Sequence, residues 1–305
     1  MEFVELKITV METKRNLLAV AAALVMLVAA LCSCSQDCGD GISGDGDEDV
    51  AVVSFALAND ELADGSAVAA DGTRAGLVAD GKSMTDLWVF DFVDGKETGM
   101  VHLCSGDDLT KVSMSLRYGE HVLCFVASRG LDAAVDKTAH TILWGKFSDT
   151  FYKRLALTVD RKTGAQTVEL ERVASRLMVT VADEMPQDVR RIAVKTGQWF
   201  SGLDYLTGDA AGREDGKTLT AEIPADRAGT AGVSVAFFAA GGDWTTSARI
   251  EALDGDGKVV GSVSVADVAM GRGVSANCTG RLFGGSVEMG VALSDVWRDV
   301  SYELQ

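Results

Sequence analysis

The chain has 305 residues, enough for one large domain or two of ordinary size, and with 47% hydrophobic and 24% charged residues its composition is that of a chain that folds. A formal net charge of −17 with no basic cluster to offset it excludes a surface that grips phosphate backbones, so nucleic acid is not an expected partner. Only 2 prolines stand beside 33 glycines, so turns must rest mainly on Gly, Asp and Asn.

Residues 1–33 read as a signal peptide. Lys14 and Arg15 precede an apolar run from Leu17 to Leu31, which is too short to span a bilayer and carries the charged front of an export signal. Met11, followed by "ETKRNLL", is the more usual start of such a signal, which marks residues 1–10 as an upstream extension. The exit "LCSC" resembles the bacterial lipobox, with Leu31 three residues before Cys34. That resemblance implies that Cys34 is the lipidated first residue of the mature protein; the alternative is a plain secretory signal with stray cysteines. Residues 34–49 are acidic, Gly-rich and without apolar period, and are expected to be a flexible tether.

From residue 50 the dominant period is two. "VAVVSFALA" (50–58) puts Val53, Phe55 and Leu57 on one face, and "LWVF" (87–90) has the continuous apolar character of a strand buried on both faces. Between them, "DGTRAG" (71–76) holds Arg74, the one Lys or Arg between Cys34 and Lys82. It reads either as a loop residue or as a cut site. Residues 112–118, the run containing Leu177, Val179 and Val181, and residues 233–240 and 259–268 continue the alternation. Asp94-Gly95 and "DGDG" (254–257) are hairpin signals. Residues 130–141 are the one stretch expected to form a short helix. Many short strands at near-regular spacing predict an all-β chain of two sandwiches, 50–170 and 171–305. The last strand carries Val287, Met289, Val291 and Leu293 on one face, then changes phase near Ser294-Asp295. It is read either as a closing strand or as one that inserts into another subunit.

Catalytic signals are thin, and the chain is not read as an enzyme. "HLC" (102–104) and "HVLC" (121–124) tempt a zinc reading, but His121 and Cys124 are three apart and fall on opposite faces of a strand, so no metal or other cofactor is expected. In an oxidising compartment Cys38, Cys104, Cys124 and Cys278 are free to pair; a Cys104–Cys124 bridge between neighbouring strands and buried thiols are the alternatives. "DGDGK" (254–258) opens like a calcium loop, but Val265 stands where the bidentate Glu is needed, which favours a hairpin turn. "GQWFSGLDY" (197–205) is the one cluster of aromatics that could be exposed; an ordinary loop is the favoured alternative.

In their succession these features resemble the fimbrillins, lipoprotein subunits of type V pili in Bacteroidales. The carriers are the lipobox and acidic tether, "VAVVSFALA" followed by "TRAG", "MTDLWVFDF", "VELERVASRLMVTV" (168–181) with Arg172, and "NCTGRLFGG…VEMGVALSDVW" with the late Trp297. The resemblance implies two tandem β-sandwich domains of transthyretin-like, Greek-key type. It implies an outer-membrane lipid anchor through Cys34 and cleavage by an arginine-specific protease between Arg74 and Ala75. It implies polymerisation with other pilus subunits, the donor strand of one (Val287, Met289, Val291, Leu293, Trp297) filling the groove that the first strand of another has left. The long Ala/Gly/Asp-rich stretch before Arg74 and the short second domain favour an accessory subunit, an anchor or a tip facing a host or bacterial surface ligand. A surface-anchored carbohydrate-binding lipoprotein is the alternative reading.

Overall fold

Strand β1 (Val50–Asn59) shows how the alternating pattern is spent. Val53, Phe55 and Leu57 are at most 5% exposed, whereas Val52 on the other face is 70% exposed. The computed structural model describes residues 49–59, 78–79, 82–284 and 288–294, within one unit that begins at Glu48. Cys34, Cys38, Arg74, Ala75, Val287 and Trp297 lie outside the described residues.

β1 lies between β6 (Lys111–Arg117), to which it is antiparallel, and β11 (Gln166–Arg172), to which it is parallel. The sheet continues through β10 (Thr150–Val159), β7 (Gly119–Ser128) and β4 (Asp86–Val93) to β5 (Lys96–Cys104), giving the order β5-β4-β7-β10-β11-β1-β6. It folds back on itself as a sandwich, because Val53, Phe55 and Val168 share one buried cluster with Leu87, Val89 and Phe125. Phe55 meets Phe125 edge-on, with ring centroids 5.3 Å apart.

The unbroken apolar run of β4 is buried on both faces. Leu87 and Val89 enter the first core, while Trp88, Phe90 and Phe92 point into a separate aromatic cluster. Its hairpin to β5 turns at Asp94 and Gly95, whose φ angles of 52° and 75° suit a two-residue turn that matches strand twist. Two short strands, β2 (Val78–Ala79) and β3 (Lys82–Ser83), pair with each other just before β4.

The second core lies between two four-stranded sheets. One is β17-β12-β20-β21 (Val233–Ala240, Ala174–Val181, Ser275–Arg281, Glu288–Ser294). The other is β16-β13-β18-β19 (Thr218–Glu222, Val189–Thr196, Thr245–Asp254, Val259–Ala269). Leu177, Val179 and Val235 from the first meet Ile192, Val194 and Ile250 from the second. β18 and β19 are joined at the "DGDG" turn, where Asp254 Oδ1 accepts the N–H groups of Asp256 and Lys258.

Residues 130–141 are not helical. Leu131–Asp136 is strand β8 and Thr141–Lys146 is β9, joined by a turn in which Asp136 Oδ1 accepts the N–H groups of Thr138 and Ala139. Ladder bonds hold β8, and most of its side chains face solvent, so its residues carry no apolar period. Among the described residues the helical structure is one 3-10 turn, Ala225–Arg227.

The β8–β9 hairpin also joins the two halves. β9 pairs with β14 (Gln198–Asp204), which pairs with β15 (Ala210–Asp215), so one sheet draws strands from both sides of residue 170. Gly202 makes the crossing possible, since a Cβ there would lie 2.3 Å from a Leu143 methyl and 2.8 Å from the Ile142 carbonyl. Beneath this sheet Tyr205 stacks on Phe90 at 3.7 Å and donates its hydroxyl to Glu97 at 2.7 Å.

Candidate functional site

The candidate site consists of two strands that contrast in burial. β1 is an inner strand whose apolar face is fully used. Completely burying Val53, Phe55 and Leu57 at about 1.5–3 kcal/mol each stabilises the first core by roughly 5–9 kcal/mol. Without β1, the facing edges of β6 and β11 and the floor around Phe125 would form an apolar groove with unpaired backbone on both sides.

β21 is the reverse case. It is the end strand of its sheet, antiparallel to β20, with Cys278 opposite Val291 and Ala276 opposite Leu293. Directly opposed residues share a face, and both partners are completely buried, so Val291 and Leu293 lie on the core side of the sheet. At this outer position the opposing sheet, which reaches β21 through β19, covers them only in part. Val291 is 40% and Leu293 56% exposed, and only Met289 packs partly against the second core. β21 is thus held by its ladder, with little of its apolar side-chain surface used. Its period matches that of β1, with three apolar residues spaced two apart.

Arg172 has a structural setting at the end of β11. It donates twice to Asp149, at 2.9 and 3.0 Å, and its guanidinium lies 4.8 Å from the centre of the Phe151 ring.

The histidines are dispersed. His102 bonds Asp86 at 2.9 Å and stacks on Trp88, while His121 is buried between Asp91 (2.7 Å) and the Arg117 carbonyl (2.8 Å). Among the described residues no three metal-ligating side chains come together. Of the two alternatives for Cys104 and Cys124, the bridge between neighbouring strands is ruled out, because β5 and β7 are not neighbours. β4 runs between them and pairs Asp86 with Cys104 and Phe90 with Cys124. Burial pushes the thiols of Cys124 and Cys278 up to about 11.

Residues 197–205, read either as exposed aromatics or as an ordinary loop, are neither, since most of the segment is strand β14. Trp199 belongs to the second core and Tyr205 to the aromatic cluster, at 1% and 0% exposure. β14 is largely covered on both faces.

No protein-family model matches the sequence, and no curated protein matches it. Several solved structures are similar in shape. A candidate adhesin from Bacteroides thetaiotaomicron matches at 9% identity over 83% of this chain and 98% of its own, with a TM-score of 0.49. A fimbrial assembly protein from Parabacteroides distasonis matches at 14% identity over 80% and 99%, with a TM-score of 0.44. The C-terminally truncated tip fimbrial protein Mfa3 from Porphyromonas gingivalis matches at 11% identity over 81% and 100%, also at 0.44. The structural neighbours of this chain include adhesin-like and fimbrial proteins of Bacteroidales.

Proposed function

We propose that this chain is a structural, non-catalytic subunit of a cell-surface fimbria of the type V pilus kind. In this reading it is exported as an outer-membrane lipoprotein through Cys34 and cut by an arginine-specific protease between Arg74 and Ala75. It then joins other pilus subunits by β-strand exchange. The observation that carries the reading is the contrast between β1 and β21: β1, the strand that precedes the cut site, buries the whole of its apolar face, while the last described strand keeps Val291 and Leu293 exposed on its core side.

Exchange by this route has a favourable balance. Loss of β1 costs the acceptor roughly 5–9 kcal/mol of apolar burial, and a donor with three or four alternating apolar residues restores an amount of the same order. The donor gives up little, because two of those side chains are exposed before exchange. Ladder bonds lost on β20 are replaced by bonds to β6 and β11.

Mass spectrometry of the mature N-terminus with and without an arginine-specific protease tests the proposal. A chain beginning at Ala75 is expected in assembled material and a lipidated Cys34 in uncut material. Arg74→Ala should leave an uncut, monomeric lipoprotein, and polymers of normal length from that variant would refute the reading.

A further inference from the structure

His121 on β7 and Asp91 on β4 form a buried titratable pair, with side chains 3% and 7% exposed. Asp91 stands directly opposite Leu123, which belongs to the first core and follows His121 by two residues, so both polar side chains point to the core side. His121 Nδ1 lies 2.7 Å from Asp91 Oδ1, and its Nε2 lies 2.8 Å from the Arg117 carbonyl oxygen. A carbonyl oxygen accepts and cannot donate, so the second contact requires a proton on Nε2. A carboxylate also accepts, so the first requires another proton between Nδ1 and Oδ1. The pair therefore holds two protons and no net charge, whichever partner carries the shared one.

When one of those protons leaves, one contact stays a hydrogen bond and the other sets lone pair against lone pair. A hydrogen bond to a carboxylate is about twice as strong as one between neutral groups, so the remaining proton stays on Nδ1. The bond to Arg117 is then the one that breaks. That carbonyl belongs to the corner between β6 and β7, and the corner seats the start of β1. Tyr118 donates its N–H to the Asp49 carbonyl at 2.6 Å, and Val50 pairs with Arg117. We propose that the Asp91–His121 pair is a pH-sensitive latch on the first residues of β1, closed while the pair holds both protons and opened at the β6–β7 corner as the pH rises.

The surroundings leave the titration to this pair. From β4 the group that meets the imidazole is Asp91 itself, and from β5 the Thr98 hydroxyl donates to the other Asp91 oxygen at 2.7 Å. β10 presents Leu157, directly opposite His121, and β6 presents the Arg117 carbonyl while the Arg117 side chain is exposed. Glu120, next to His121 on β7, is exposed and accepts the Thr158 hydroxyl at 2.7 Å. Tyr118, the titratable residue of the corner, packs against the first core. At the start of β1 the exposed Asp49 side chain lies 3.7 Å from Arg161.

The latch acts within the uncut single chain, so its test does not depend on strand exchange. Hydrogen exchange of the full-length chain in detergent, corrected for the intrinsic rate, is read by mass spectrometry at pH 6 and pH 9. Protection in peptides spanning 49–53 and 116–120 should fall about tenfold at the higher pH, the weight of one hydrogen bond, while 123–127 keeps its protection. Asp91→Asn should keep the corner closed at both pH values. Its amide nitrogen can donate to Nδ1 and its oxygen can still accept from Thr98, which leaves the ring proton on Nε2. Nitrogen-15 spectra of the parent ring give a readout that does not need the variant to fold: Nε2 should be protonated at pH 6 and bare at pH 9. Unchanged protection between the two pH values, an equal fall in 123–127 or in Asp91→Asn, or an Nε2 proton retained at pH 9 each overturns the proposal. None of these outcomes bears on cleavage at Arg74 or on polymer formation.

Discussion

Replacing Phe55 with alanine separates the role of β1 in folding from its role in assembly. The ring is completely buried and meets Phe125 at 5.3 Å in the middle of the first core. A buried Phe→Ala change costs about 3–5 kcal/mol in transfer and cavity terms, and the edge-on aromatic pair places this site toward the upper end. With an m-value of about 2–3 kcal/mol/M in urea, the unfolding midpoint of the uncut chain should fall by about 1–2 M, read by tryptophan fluorescence. If, as proposed, another strand takes the place of β1 in assembled subunits, the same substitution should leave their midpoint unchanged. An equal loss in assembled material would show that β1 stays in its groove, and a loss below about 1 kcal/mol in the uncut chain would show that β1 does not hold the core; either result refutes the reasoning.

Three further substitutions or treatments have defined outcomes. Leu293→Asp changes a side chain that is 56% exposed, so monomer stability should stay within about 0.5 kcal/mol of the parent while polymers vanish from size-exclusion profiles. Arg172→Met leaves the carboxylate of Asp149, which has no exposed surface, without its bidentate guanidinium, and should lower stability by about 3–5 kcal/mol in urea unfolding. Cys124 and Cys278 should resist iodoacetamide at pH 8 until the chain is unfolded, because thiols pushed up to about 11 are ionised to only about a thousandth there, as mass spectrometry of alkylated peptides would record.

What could be read from the sequence was whatever is local and one-sided. The alternation of Val53, Phe55 and Leu57 maps directly onto a buried face, and Asp94-Gly95 makes its hairpin through two positive φ angles. The double burial of β4 was visible as an unbroken run, although not what lay against each side. Residues 130–141 misled because Ala133, Ala134 and neighbouring charges suit a helix, and β8 exposes most of its side chains. Its strand form is set by pairing to β9, which no period announces. The rings of Trp199 and Tyr205 were misplaced for a related reason, as the cover over β14 comes from residues distant in sequence. The parallel pairing of β1 with β11 was equally hidden, since it joins segments more than 100 residues apart.

The sheet that takes β8 and β9 from one half and β14 and β15 from the other, with Tyr205 stacked on Phe90 beneath it, has a mechanical meaning. It acts as a splint across the junction, so bending one half against the other would require ladder bonds to break and an aromatic core to open. In a filament built from such units, curvature would concentrate at the joints between subunits. The length over which the fibre stays straight would then be set by the donated strand, with each subunit behaving as an inflexible link.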